Sequence, residues 1–255
     1  MNMLKSGVKS GGGGERVRYF PRQLITADDM TAEQQYFRQK MRRHNRFLHG
    51  WGVVCGCAVE PYNPEKNRPW QVRVCPGYVI TPQGDEILIR EAVNFDLAGD
   101  WRHPEDPCAR PWPCPPAGVR PASNETQDVY LAVCYTECDT RPVRIHPAGC
   151  GCDEAACEYS RIRDSFELLR LWELPDSHKK AVEADAKWVE DVETWKANPE
   201  PPRPLASCPE CPDDPCVVLA KITLPVARDT QISAIDYGDR RVLYSVQALQ
   251  AILMP

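Results

Sequence analysis

Apolar residues in the first fifty positions repeat at helical spacing. The sequence Thr-Ala-Asp-Asp at residues 26–29 has the order of a capping box and predicts a helix over residues 28–49. Gly50 follows, and glycine is the usual residue just beyond a helix end. The helix should present two different faces, one mainly apolar with Met30, Phe37, Met41, His44 and Leu48, and one basic with Arg38, Arg42 and Arg46.

After Gly50 the pattern becomes that of extended strands. Residues 52–59 and 71–75 are rich in β-forming side chains and predict two strands. Residues 78–81 and 86–89 flank a Pro- and Gly-containing turn, which is typical of a β-hairpin. These segments predict a small antiparallel sheet covered by the first helix.

The second half of the chain predicts further strands and one long helix. The strand candidates are residues 128–135, 166–174 and 216–224. Residues 176–198 predict a charged helix in which Trp188 and Trp195 are seven positions apart and share one face. That face either covers the body of the protein or binds a partner.

Prolines divide the chain into segments. The chain has 25 prolines, and many of them fall at residues 104–121 and 199–215, where they predict long loops. We therefore expect an α+β fold: an N-terminal helix packed on a small, mainly antiparallel β-sheet domain, with long Cys/Pro-rich loops, a projecting helical insertion and a short C-terminal helix. The expected segments are a flexible Gly-rich arm (1–18), a helix and β-sheet domain (19–100), a Pro/Cys-rich loop (101–127), strands with a Cys-rich metal loop (128–175), a helical insertion with a second Pro/Cys-rich loop (176–215), and a C-terminal strand and helix (216–255).

The chain has 13 cysteines, an odd number that cannot pair completely within one molecule. In a reducing compartment clustered thiols are more often metal ligands than disulfides. Four of them bracket the loop after the strand at residues 128–135 and predict a closed, structural zinc site: Cys138, Cys150, Cys152 and Cys157. The alternative is a set of free or partly oxidised loop cysteines.

A second cluster is centred on a Cys-x-x-Cys pair. Cys208, Cys211 and Cys216 supply three ligands, and Cys108 or Cys114 could supply the fourth. Cys108 and Cys114 could instead form a disulfide with each other. The remaining cysteines that lie in strand patterns are interpreted as buried core thiols: Cys55, Cys57, Cys75 and Cys134.

The sequence offers one weak enzymatic pattern. His103-Pro-Glu105 and the later Cys208-x-x-Cys211 have the residue types of a zinc deaminase, but both halves lie in proline-rich loops and not at helix starts. The chain contains no P-loop, no G-x-S-x-G and no G-x-G-x-x-G motif that opens a helix. We therefore predict no catalytic residue, and a zinc-dependent hydrolytic enzyme, deaminase- or hydrolase-like, remains the alternative.

Charge and hydropathy narrow the class of partner. The formal net charge is −5, so a general nucleic-acid binder is not expected. No stretch has the length of a membrane span and no secretory signal pattern is present, so we expect a soluble protein that is cytoplasmic when made. Residues 15–49 hold eight Lys/Arg against four Asp/Glu, whereas residues 176–200 hold four against seven.

Six motifs of the sequence carry a resemblance to a known family: YFPRQLITADDM at residues 19–30, EQQY at 33–36, HNRFLHGWGVVCG at 44–56, VRVCPGYVI at 72–80, GDEI at 84–87 and EYSRIRDSFE at 158–167. Together they resemble a recurrent bacterial domain found with extracellular contractile injection systems and related phage-tail-like particles. The resemblance implies a non-enzymatic accessory part of the particle, present in multiple copies and bound to baseplate, fibre, tube or cap proteins. It also implies assembly into a particle that can be released from the cell. No role for the glycine arm or for the Trp188 helix comes with it.

Overall fold

The computed structural model describes residues 14–64, 69–98, 126–144, 157–199, 205, 208, 214–225, 230–232, 234–245 and 249–250. Within them, two α-helices accompany three antiparallel sheets, which confirms the α+β class. Most of the predicted C-terminal helix and of the Cys/Pro-rich loops lies outside these residues. Neither described helix combines the length and the apolar content that a membrane span requires.

The first helix, α1, spans Ala27–His44 and begins as predicted. The Thr26 side chain accepts from the Asp29 N–H, and the Asp29 carboxylate accepts from the Thr26 N–H, so both halves of the capping box are present. The bond from the Thr26 N–H, together with one from the Thr26 hydroxyl, lowers the pKa of the Asp29 carboxyl. The helix continues as one π-helical turn, Asn45–His49, and ends at Gly50, whose φ is +83°.

Two small sheets follow α1. The first has the order β1 (Gly52–Gly56), β4 (Gly77–Ile80) and β5 (Glu86–Ile89), and the second has the order β2 (Val59–Pro61), β3 (Gln71–Val74) and β6 (Val93–Asp96). The predicted hairpin is confirmed as β4 and β5. The predicted strand over residues 52–59 is two strands, because Cys57 has a φ of +54° and turns the chain from one sheet to the other.

The third sheet is the largest and carries most of the second half of the chain. Its order is β10 (Ala234–Asp236), β9 (Cys216–Leu224), β7 (Gln127–Arg144) and β8 (Cys157–Leu171). β9 has the predicted bounds. β7 and β8 are longer than predicted, since beyond Cys134 they pair only with each other as a polar, two-stranded ribbon that shows no apolar alternation.

Both faces of the central strands are covered. Leu131 and Val133 point into the main core, whereas Ala132 and Cys134 point to a smaller cluster on the opposite face. The first five residues of β9 are therefore all buried, and a bulge opposite Leu131 and Ala132 places both Leu219 and Ala220 in the main core. Each fully buried Val or Leu contributes about 1.5–3 kcal/mol, so these strands dominate the stability of the domain.

The second helix, α2 (Asp176–Ala197), is attached to the third sheet through His178. His178 is buried, and its Nε2 accepts from the Val218 N–H at 3.0 Å. Its ring also contacts the Trp51 ring edge-on, with centroids 4.7 Å apart. β10 pairs only with residues 221–223 of β9, so the imidazole satisfies a backbone donor on an otherwise open strand edge.

This contact makes the stability of the protein depend on pH. Burial, aided by the nearby Arg241 cation, lowers the pKa of His178 from 6.5 to about 4. Because the unfolded chain takes up the proton more readily, the stabilisation is complete above pH 6.5 and is lost as the pH falls towards 4. Between pH 7 and 5 we expect the free energy of unfolding to fall by about 2 kcal/mol through this residue.

The measurement is urea denaturation across that pH range for the wild type and for His178→Gln. Glutamine offers an acceptor for the Val218 N–H but takes up no proton, so the variant should lack this part of the pH dependence. An identical slope in both proteins would contradict the assignment.

Candidate docking surface on α1

The apolar face of α1 is exposed to solvent. Phe37 and Met41 each expose 54% of their surface, Met30 exposes 47%, and Leu48, in the π-helical turn, exposes 70%. Their spacing of seven, four and seven residues places them in one stripe along the helix. We refer to these four residues as the α1 stripe. The expectation was a helix packed on the sheet, with neither face assigned to that contact. In the structure α1 contains no buried residue, so the apolar face is not the side that packs on the body.

The polar side of α1 holds the helix on the body instead. Arg42 Nε donates to Asp85 Oδ1 at 2.6 Å, and Asp85 is buried. Arg38 pairs with Glu137 on β7, which ties the middle of the helix to the third sheet. These charged contacts hold the arginine side of α1 against the body, and the stripe on another side of the helix remains exposed to solvent.

The end of α1 rests on the β4–β5 turn. Asn45 is buried and its Nδ2 donates to the Gly84 carbonyl at 2.9 Å. Gly84 has a φ of +94°, and a Cβ placed there would lie 2.2 Å from the Arg42 carbonyl oxygen. Only glycine therefore allows the turn and the helix to approach this closely.

The chain that leads into α1 enlarges its apolar surface. The Tyr19 hydroxyl donates to Glu33 on α1, a bond that raises the pKa of Tyr19. This bond fixes the segment beside the first half of the helix. Tyr19 itself and three further apolar side chains of the segment are exposed, namely Phe20, Leu24 and Ile25. Four exposed apolar side chains on one short segment are more than scattered single residues, and such groups mark interaction sites.

The predicted metal ligands are not brought together in the part of the chain that is described. Cys216 forms a disulfide with Cys134, its direct neighbour across β9 and β7, and Cys138 is also disulfide-bonded. Cys208 is free and exposed. The other predicted ligands lie outside the described residues or have no described side chain: Cys108, Cys114, Cys150, Cys152, Cys157 and Cys211.

The disulfides change the predicted roles of three cysteines. A sulfur in a disulfide has no thiolate to offer a metal, so the structure replaces the expected zinc ligation by Cys138 and Cys216 with covalent pairing. Cys134, expected as a free core thiol, is paired as well. In the described part of the chain no group of three or more His, Cys, Asp or Glu side chains is arranged to hold a metal ion. Because most of the other predicted ligands have no described side chain, the zinc sites stay a prediction.

The three cysteines near the β1–β2 bend differ in exposure. Cys57 is buried, as expected, and burial raises the pKa of its thiol to about 11, so the thiol stays protonated. Cys55 is exposed and Cys75 is half-buried, so the expectation of buried core thiols fails for these two. All three are free thiols.

A groove of about 730 Å³ lies between the β5–β6 region and β8. Its lining includes Tyr78, Leu88, Asp164 and Phe166, but no histidine or cysteine. Burial and a hydrogen bond to Glu86 raise the pKa of Tyr78 to about 12, which keeps the phenol protonated at neutral pH. The other polar side chains of the lining are Glu86, Arg90, Glu91, Arg163 and Ser165.

Comparisons with known proteins leave the family open. No family model and no curated protein matches this chain. Among solved structures, a crystal structure of TssK is similar at 13% sequence identity and a TM-score of 0.34, over 88% of this chain and 41% of that chain. At this TM-score the likeness carries no argument about fold or function.

Proposed function

We propose that this chain is a non-enzymatic structural subunit that binds other proteins of a contractile injection system or phage-tail-like particle. The exposed α1 stripe is the observation that carries the proposal. A helix normally turns its apolar side to the core, and here the charged side is fixed inward by Asp85 and Glu137. A partner that covers the stripe would remove its apolar side chains from water, which the isolated chain does not do.

The motifs at residues 19–30 and 44–56 support the choice of particle, because they resemble the injection-system domain and lie at both ends of the same surface. The partners in this proposal are baseplate, fibre, tube or cap proteins, with several copies of this chain in each particle. The chain is made in the cytoplasm and assembles into a particle that can be released. Zinc held by the loop cysteines outside the described residues stays a prediction.

A charged substitution in the stripe tests the proposal. Phe37→Glu places a carboxylate in the middle of the apolar face, and we expect it to reduce the amount of the protein that co-sediments with particles by at least about tenfold. The measurement is sedimentation of particles from the native host, followed by quantitative mass spectrometry of the pellet.

Gln35→Glu is the matched control. Gln35 is exposed on α1 outside the stripe, so this variant adds the same charge to the same helix and should co-sediment normally. Recovery of the Phe37→Glu protein with particles at the wild-type level would reject the stripe as the docking surface. Wild-type protein found only free, beside intact particles, would reject the function itself.

A further inference from the structure

α2 also presents an apolar line to solvent. Trp188, Val192 and Trp195 are half-buried and mark the side of the helix turned to the body. Val182 and Val189 lie on a different side and expose 62% and 58% of their surface. They are seven residues apart, so they stand one above the other after two turns.

The two exposed lines have the same period. Met30 and Phe37 of α1 are seven residues apart, as are Val182 and Val189 of α2. Two helices whose apolar residues repeat at this interval can interdigitate along a shared seam. Bulky Met and Phe on one line and small Val on the other are complementary in size.

The flanks of the two lines carry opposite charge. Lys40 is exposed beside the α1 stripe, and residues 15–49 hold eight Lys/Arg against four Asp/Glu, although two of the eight, Arg38 and Arg42, are paired with carboxylates of the body. Glu183 and Glu190 are exposed beside the valines of α2, where residues 176–200 hold four Lys/Arg against seven Asp/Glu. Such complementarity selects one partner surface and disfavours contacts between two α1 stripes or two α2 lines.

We infer that the α1 stripe of one copy packs on the Val182–Val189 line of α2 in a second copy of this chain. The inference rests on the proposed function, since it names the neighbour that the stripe meets in the particle. The two surfaces are different parts of the chain, so the contact is heterologous. A row of copies keeps a free α1 stripe at one end and a free α2 line at the other, so repetition of the contact produces a ring or a helical array.

The test is self-association of the purified full-length protein, measured by sedimentation velocity over a wide range of concentration. We expect association that weakens as salt is added, because the flanking charges are exposed. Val189→Glu should weaken the association by at least about tenfold, whereas Gln35→Glu should leave it unchanged. Val189 is exposed, so its replacement should leave the circular dichroism spectrum and unfolding midpoint as in the wild type.

A charge exchange tests whether the two helices meet. Lys40→Glu and Glu190→Lys should each weaken association about two- to fivefold, and the double variant should recover the wild-type value. Failure of the double variant to recover, or a wild-type protein that is monomeric throughout, overturns the inference.

The outcomes also separate this inference from the proposed function. If the wild-type chain is monomeric but Phe37→Glu still reduces its co-sedimentation with particles, the second copy is rejected as the partner and the proposed function is retained. If the chain self-associates but never co-sediments with particles, the contact between copies is retained and the proposed function is rejected.

Discussion

Loss of the Cys134–Cys216 disulfide is expected to lower the free energy of unfolding by about 4 kcal/mol. The two residues are 82 positions apart in sequence. A crosslink over a loop of this length restricts the unfolded chain, and loops of about 15 to 100 residues correspond to about 3 to 4.7 kcal/mol. The bond also lies in the small core cluster with Ala132 and Val218, where β9 begins. We therefore expect its removal to loosen the start of the β7–β8 ribbon.

The comparison uses urea denaturation of the double variant Cys134→Ala/Cys216→Ala, which leaves the disulfide of Cys138 in place. Cys55→Ala is the matched control, because it removes an exposed free thiol and should change stability by less than about 0.5 kcal/mol. A double variant as stable as this control would show that the disulfide is not part of the folded protein under those conditions.

Gly84→Ala is expected to destabilise the protein by about 3 kcal/mol and to displace the end of α1. The new Cβ would lie 2.2 Å from the Arg42 carbonyl oxygen, at a backbone conformation that alanine rarely adopts. Relief of this overlap requires α1 to move away from the turn. The movement would break the Asn45 hydrogen bond to the Gly84 carbonyl and the ion pair between Arg42 and Asp85.

Two measurements follow from this. Chemical denaturation gives the loss of stability, and hydrogen exchange should show faster exchange in α1 with little change in β9. Gly238→Ala is the control, since a Cβ there would come no closer than 3.4 Å to the Asp236 carboxylate. Equal losses in the two variants would contradict the role assigned to the Gly84 contact.

Local signals predicted the elements whose stabilising groups are close in sequence. The capping box at Thr26 and Asp29 and the glycine at position 50 place α1 and its π-helical turn, and β9 is recognised by the apolar run Cys216–Ala220 at its start. The ribbon of β7 and β8 escaped prediction, because its residues are polar and its order comes from pairing between strands. The strands β6 and β10 also escaped prediction, because what defines them is their pairing with β3 and with β9.

Only part of the candidate docking surface could be predicted, because the rest depends on contacts between residues that are distant in sequence. The stripe of Met30, Phe37, Met41 and Leu48 is evident from spacing, and its place on the helix is confirmed. Whether that face is buried or exposed depends on Asp85 and Glu137, which are distant in sequence from α1. They form ion pairs with Arg42 and Arg38. Nothing near His178 in the sequence indicated that its imidazole would cap the Val218 N–H.

By itself, the sequence determined where the helices begin, which segments extend, which side of α1 is apolar, and how charge divides between the two helices, since all of these follow from neighbouring residues. Tertiary structure alone decided that the stripe remains exposed and that Cys134 and Cys216 are bonded across β7 and β9. These outcomes depend on which distant groups meet, and the free energy of a contact between distant residues is absent from any local pattern.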